Sequence, residues 1–241
     1  MENPRRWYVG GYVRDTLLGL RPKDIDIMVD LPSFNLLDEW VTRTHPAVYE
    51  RRPKDLVIRA RHPDGYAVDY TLPRDESGYA DNRRPDTVRV ATVHEDLARR
   101  DFTVNALAAE VLPDGGMGPL LDLHGGEADL KKKVLRTVGA AYKRLAEDHL
   151  RIVRAMRFIV TKDFVPDREL ERILLDGSFA NKLLTLPTER IQGELLRMFS
   201  FSTPATLNFL RNVHPAYTDV MFDRGLWLMP TKARSSRKPP Q

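Results

Sequence analysis

Trp7-Tyr8-Val9-Gly10-Gly11-Tyr12-Val13-Arg14-Asp15-Thr16-Leu17-Leu18-Gly19 and then, after Leu20-Arg21-Pro22, Lys23-Asp24-Ile25-Asp26-Ile27-Met28-Val29 set the pattern for the whole chain. An apolar run ends at a glycine pair. Val13 to Leu18 then has helical spacing until Gly19 and Pro22 stop it, and Asp24 to Ile27 alternates before running into Met28-Val29. The spacing predicts strand, tight turn, short helix, strand. On the second strand both aspartates point to one face while Ile25 and Ile27 point to the core. Two adjacent like charges repel unless a cation neutralises them. Hard oxygen ligands suit magnesium, which binds through one or two carboxylates together with substrate phosphates. Alone, the same tripeptide also fits a solvated strand face. The glycine pair before a helix can turn backbone N–H groups toward phosphate, and Arg14 lies about one turn further on. It has the glycine spacing of neither a Walker loop nor a dinucleotide fingerprint.

Further along, Leu56 to Ala60 and Tyr66 to Tyr70 read as strands around a turn at Pro63-Asp64-Gly65. Asp69 alternates in phase with its strand, as a third carboxylate or as an exposed strand residue. Arg74 to Pro85 is polar and is expected to form a mobile loop. From Glu95, the spacing of Leu97, Phe102, Val104, Leu107 and Ala108 predicts a helix entering Val111, before Pro113-Asp114-Gly115-Gly116 turns the chain back. Asp101 and Asn105 then lie one helical turn apart, suited to ribose hydroxyls or to capping and a polar face. Helices are expected at Glu147 to Thr161, Arg168 to Leu175, Pro187 to Ser200 and Pro204 to Asn212. The fold class is therefore α+β: a mixed-sheet head over 1–141, a helical neck and short body over 142–230, and a basic, disordered tail over 231–241. Short, interrupted strands argue against a doubly wound sheet.

The chain of 241 residues, 42% hydrophobic and 30% charged, has the profile of a soluble globular protein. Its net charge of +4 suits a polyanionic partner. The absence of cysteine excludes disulfides and thiolate zinc sites. No stretch is apolar enough to span a membrane, and the first residues lack the apolar run of a secretion signal, so a cytoplasmic setting is expected.

The quoted Tyr8 to Asp15 and Lys23 to Asp26 segments resemble the signature of class II tRNA nucleotidyltransferases and bacterial poly(A) polymerases, within the DNA polymerase β superfamily. The resemblance continues through Arg99-Arg100-Asp101-Phe102-Thr103-Val104-Asn105-Ala106-Leu107, Asp122-Leu123-His124-Gly125-Gly126, Glu147-Asp148-His149-Leu150-Arg151-Ile152-Val153-Arg154-Ala155-Met156-Arg157-Phe158 and Thr188-Glu189-Arg190-Ile191. It covers about residues 7 to 200 and implies a polymerase β-like nucleotidyltransferase head followed by an all-helical neck. By resemblance, Asp24 and Asp26 hold two magnesium ions, with Asp69 as a third acidic position. Gly10, Gly11 and Arg14 take the triphosphate, while Arg100, Asp101 and Asn105 address ribose and phosphates. The implied activity is template-independent addition of CMP and AMP from CTP and ATP to the 3′ end of tRNA.

On a helix beginning at Glu147, Asp148 and Arg151 stand three apart on one face, with Arg154 a turn further on and Arg157 on the opposite side, directed at phosphate or structural. An aspartate beside an arginine pairs an acceptor with a donor. Cytosine and adenine offer an amino donor beside a ring acceptor and match that pair. Uracil and guanine present the reverse and would leave buried groups unsatisfied, at about 1 to 3 kcal/mol each. The same two residues also fit a surface ion pair worth at most about 1 kcal/mol. Gly78 to Pro85 is similar to the flexible loop of CCA-adding enzymes. That favours CCA addition over a poly(A)-adding or A-only enzyme, with a non-catalytic RNA-binding module as the rival from another class. The sequence departs from the family at His149, where proline is usual, and at the charged Arg51-Arg52-Pro53-Lys54. The chain also ends before the family's helical body would, so a compact enzyme gripping mainly the acceptor end is expected. The apolar Val220-Met221-Phe222 and Leu226 to Pro230 would pack on the neck, form an oligomer interface or mark a cut chain.

Overall fold

The computed structural model describes residues 4–78 and 87–226. In chain order the elements are β1 (Arg6–Val9), α1 (Gly11–Leu17), β2 (Asp26–Val29), α2 (Phe34–Thr44), β3 (Ala47–Arg52), β4 (Val57–Arg61), β5 (Ala67–Thr71), β6 (Arg74–Ser77), β7 (Thr87–Val90) and α3 (Val93–Ala98). Then follow β8 (Leu107–Val111), β9 (Met117–Asp122), α4 (Gly126–Lys132), β10 (Val134–Leu135), α5 (Ala141–Glu147), α6 (Leu150–Lys162), β11 (Val165–Pro166), α7 (Arg168–Asp176), α8 (Thr188–Phe201), α9 (Thr203–Asn212) and α10 (Pro215–Asp223). Seven strands form one mixed sheet in the order β3-β4-β5-β2-β1-β8-β9, in which the β2/β5 pair alone is parallel.

The central strands are covered on both faces. Tyr8, Ile27, Val29, Leu107 and Ala109 face the main core, whereas Trp7, Val9, Met28 and Ala108 meet Leu97 of α3 on the other side. This explains the first correction. Residues 102–111 were expected to be helical, but after α3 the chain makes a short 3-10 turn at Thr103–Asn105 and becomes strand β8. A strand buried on both faces shows no polar alternation, so its apolar run can be misread as helix.

Besides β8, the strands of the seven-stranded sheet that the sequence pattern does not announce are its two edges. β3 is charged and largely exposed, and β9 carries Gly118 and Pro119, both tolerated at an edge. A second correction concerns the expected loop from Arg74, because Arg74–Ser77 pairs antiparallel with Thr87–Val90 as a polar two-stranded ribbon. Residues 79–86, which include most of the expected flexible loop, lie outside the described residues, as do 227–241 with the expected basic tail.

The helical region packs directly on the sheet. Phe102 meets Phe158 of α6 edge-on at 5.5 Å between centroids, and one continuous core runs from Tyr8 to Leu226. Packing is therefore uninterrupted across residues 141 and 142. Val220, Met221 and Leu226 are buried in that core, and the Tyr217 hydroxyl donates to the Ile173 carbonyl at 3.0 Å.

The Asp122 carboxylate accepts from the backbone N–H groups of His124, Gly126 and Glu127, starting α4. There Gly126 is pressed against the 3-10 turn: a Cβ on it would stand 2.2 Å from the Thr103 carbonyl oxygen. Backbone on both sides makes this contact hard to relieve. Gly126→Ala is expected to cost roughly 2–3 kcal/mol, a fall in Tm of roughly 5–10 °C for a chain of this size. A thermal melt indistinguishable from the parent would contradict the contact.

Candidate active site

The thirteen side chains and glycines singled out from the sequence all line one cleft of about 1690 Å³ between the sheet and α6. Thirteen arginines and lysines line it against nine carboxylates, a surplus of positive charge suited to a polyphosphate.

Asp26 opens β2 and is the direct register partner of Asp69 on β5, so the two carboxylates share one face of the parallel pair. Asp24 lies in the bend before β2 and is exposed, rather than on the strand as expected. Burial, reinforced by the negative charge of Asp69, pushes the Asp26 carboxyl up to about 6 against the opposing pull of Arg100. Asp69 Oδ2 accepts from Arg52 at 3.3 Å, while its Oδ1 is buried without a hydrogen-bond partner, with Arg59 Nε 3.7 Å away. An orphaned carboxylate oxygen beside a carboxyl reluctant to ionise fits the donor set of a hard divalent cation. Nucleotidyltransferases of this kind work with divalent metals. Among the described residues no three acidic or histidine side chains form a metal cage by themselves, so phosphate oxygens and water would complete the shell.

Gly10 stands at φ +61° before α1, and a Cβ on it would come within 2.7 Å of Arg100 Nη1. Glycine is required there to bring the arginine against the turn. The Gly10 N–H is taken by the Leu107 carbonyl, so it is not a free donor for phosphate. Arg100 is held by Asp96 Oδ2 at 2.9 and 3.0 Å and by the Asn105 carbonyl at 3.2 Å.

Asp96 was not among the sequence candidates, yet it is buried and also accepts from Arg99 and from the Arg74 N–H. Burial pushes its carboxyl up, but Arg100 and Arg99 outweigh that and hold it below the ordinary range. Its sequence signal was present. It is an acidic residue four before Arg100, next to buried Leu97, in a helix started by the Thr92–Glu95 capping box.

A polar circuit runs along the wall of the cleft. Lys162 Nζ and Arg14 Nε both donate to Asp15 Oδ1 at 2.9 Å, and Arg14 Nη1 donates to Asn105 Oδ1 at 2.5 Å. Asn105 Nδ2 donates to Asp101 Oδ1 at 2.9 Å, and Arg154 Nε donates to Asp101 Oδ2 at 2.8 Å. The circuit leaves α6 at Lys162 and returns to it at Arg154. Asp101 and Asn105 are therefore joined through the 3-10 turn and not along the expected α-helix. Asp101 also accepts from the Phe102 N–H and a second Arg154 nitrogen. Burial disfavours its charge, but Arg154 and Asn105 outweigh it and hold the carboxyl far below its usual range. By valence the saturated Asp101 orients, while Asn105 keeps an N–H and a lone pair for a ligand.

Asp148 and Arg151 also correct the sequence reading. The helix expected from Glu147 breaks at Asp148 and His149, because Asp148 Oδ1 accepts from the Leu150 N–H at 2.9 Å and starts α6 itself. Burial pushes the Asp148 carboxyl up. Buried Arg151 donates to the carbonyls of Arg144 and Arg99 and to Glu147, which fixes its guanidinium one turn into α6. His149 is buried, with Nδ1 2.8 Å from Thr185 Oγ1. Arg157 lines the cleft, paired with Glu194 of α8 and stacked on Phe158 at 4.2 Å.

A mixed sheet that carries an acidic pair on adjacent strands, beside a glycine turn and an arginine-rich helix, defines a nucleotidyltransferase fold. The profile described as Poly A polymerase head domain matches residues 6–136, and the chain belongs to that family. It is 39% identical over 193 residues to the CCA-adding enzyme of Leuconostoc mesenteroides, covering 80% of this chain and 45% of that one. Identity to the CCA-adding enzyme of Lactococcus lactis is 40% over 159 residues, covering 66% and 38% respectively. Among solved structures it is similar to the Bacillus stearothermophilus CCA-adding enzyme in complex with CTP, with a TM-score of 0.70 and 29% identity over 85% of this chain and 47% of that one. It is also similar to the Thermotoga maritima CCA-adding enzyme complexed with tRNA(CCA), with a TM-score of 0.69 and 25% identity over 91% and 48%. The chain thus spans about half the length of the relatives it matches. Among the described residues no helix is long and apolar enough to cross a membrane.

Proposed function

We propose that this chain transfers CMP and AMP from CTP and ATP to the 3′ end of tRNA, completing or repairing CCA without a nucleic-acid template, in the cytoplasm. The observation that carries this reading is the convergence of the acidic pair, the glycine turn, Asn105 and the Asp148–Arg151 pair on a single cleft. Asp24 and Asp26 would hold Mg2+, with Asp69 flanking them. When bound, the ions supply charge neutralisation at the α-phosphate and make the RNA hydroxyl easier to deprotonate. Arg14 and Arg100 bind the phosphates, each oriented by a carboxylate, Asp15 and Asp96. Asn105 reads the ribose, steadied by Asp101. Asp148 accepts from the exocyclic amine of cytosine or adenine and Arg151 donates to the ring nitrogen. Uracil and guanine are refused because two buried polar groups would be left unpaired. Arg154 holds Asp101, and Arg157, paired with Glu194, lines the cleft where phosphate would lie.

The test is incubation with Mg2+, each labelled nucleotide separately, and tRNA ending before CCA, after C or after CC. CMP is expected on the first two ends and AMP on the third alone. AMP on every end would establish the A-adding or poly(A) alternative, and transfer of no nucleotide would favour a non-catalytic RNA-binding module.

A further inference from the structure

Helix α5 ends at Glu147 and α6 starts at Leu150, so Asp148 and His149 form the joint between them, and the two are held differently. Asp148 spends Oδ1 on the Leu150 N–H of its own turn. His149 is buried and reaches a different element. Its Nδ1 lies 2.8 Å from the hydroxyl of Thr185, which ends the 3-10 turn Ala180–Thr185 between α7 and α8. The direction of that bond follows from valence. The Thr185 hydroxyl donates its proton to the Lys182 carbonyl at 2.8 Å, so it accepts from His149, and Nδ1 carries the hydrogen. Burial, with the charge of Lys182 nearby, holds the imidazole below its ordinary range and keeps it neutral at pH 7. The acceptor is itself fixed. Arg224, just past α10, donates to the Leu183 carbonyl at 2.6 Å and to the Thr188 hydroxyl at 2.9 Å, and Leu183 and Leu186 are buried in the core.

The backbone shows what the bond is for. Asp148 is extended, at φ −136° and ψ 104°, and His149 stands at φ −64° immediately before α6. A proline at 149 would impose that pair of conformations through its ring. Histidine imposes neither, so a contact outside the joint has to hold them. Arg151 is already clamped by the Arg144 and Arg99 carbonyls and by Glu147. Asp148 and Arg151 line the cleft, whereas His149 and Thr185 stand behind it. We propose that His149 is a positioning residue for base selection: through Thr185 it locks the joint so that the Asp148 carboxylate faces the same base edge as the Arg151 guanidinium. The inference rests on the Asp148–Arg151 reading above and adds what keeps that pair in register. A carboxylate that swings aside loses the exocyclic amine of cytosine but costs uracil nothing, since uracil has no amine to offer there. The tie therefore acts on selectivity rather than on overall affinity.

The test compares equilibrium binding of CTP and of UTP, each with Mg2+, to the whole chain. It also follows amide hydrogen exchange across residues 147–152, where the Leu150, Arg151 and Ile152 N–H groups bond within the joint. Thr185→Val removes the hydroxyl at an exposed position and keeps the side chain's shape. It is expected to weaken CTP about fivefold, to leave UTP within about twofold of the parent, and to speed the exchange about fivefold. His149→Leu should lose selectivity in the same way. Thr185→Ser, which keeps the hydroxyl, and His149→Pro, which fixes φ through its ring, should both keep the parental selectivity. Unchanged selectivity in Thr185→Val would overturn the assignment. So would a loss shared equally by CTP and UTP, which is the mark of a purely structural contact. A parent that binds CTP and UTP alike would overturn the base reading and the role built on it, and faster exchange in Thr185→Val would then show that the reading failed while the tie stands.

Discussion

Asp26→Asn is expected to leave a protein that is more stable than the parent and almost inactive, with nucleotide transfer down at least about a thousandfold. The two effects have one cause. Folding pushes the Asp26 carboxyl from its ordinary 3.8 up to about 6, first by burial and then through Asp69. A raised carboxyl binds its proton more tightly in the folded state. Its contribution to stability is therefore fully favourable below 3.8 and is withdrawn as the pH rises through about 6. At pH 7.5 the folded protein holds an unwelcome charge, and the amide removes it. A gain of roughly 1–2 kcal/mol should appear as a raised Tm at pH 7.5 and shrink toward pH 4. Divalent cation with CTP should raise the Tm of the parent and leave the variant unmoved. A variant less stable than the parent at pH 7.5 would show that Asp26 is a structural carboxylate.

Asp101→Ala is expected to act in the opposite direction, lowering stability by about 2–4 kcal/mol. Its carboxylate accepts from Asn105, Arg154 and the Phe102 N–H, so the alanine leaves an arginine without its counter-ion and an amide without its partner. Because the folded carboxyl is held far below its usual value, the stability it contributes is complete above 3.8 and drains away as the pH falls toward the depressed value. Urea unfolding at pH 7 measures the loss, and CTP affinity should fall in the same variant because Asn105 loses its orientation. A change under about 1 kcal/mol would show that water replaces the carboxylate readily.

The parts of this molecule legible in the sequence are those governed by local chemistry. The turn at Gly10, the Asp26 strand, the β4–β5 hairpin and helices α7, α8 and α9 carry their own periodicity and stop signals. What was misread depends on neighbours. β8 resembles a helix until both faces of its sheet are known to be covered, and the break before α6 follows from one side chain, Asp148, bonding to Leu150 N–H. The candidate residues stand out as a set because their motif is long, and they line one cleft, but the contacts each makes were not legible. Nothing in the spacing of Asp101 and Asn105 shows that one is saturated by Arg154 while the other keeps capacity to spare. Asp96 was missed because an acidic residue in a capped helix looks solvated until three partners converge on it.

The circuit from Lys162 through Asp15, Arg14, Asn105 and Asp101 back to Arg154 means that α6 is tied at two points eight residues apart, to α1 and to the segment leading into β8. The stretch matched by the family ends at residue 136, short of that helix. Any dissection of the chain at that boundary would take Lys162 from Asp15, leave Asp101 without Arg154 and strip Phe102 of Phe158. A fragment that keeps this packing must therefore reach at least through Lys162, and α6 goes with the sheet as one mechanical piece.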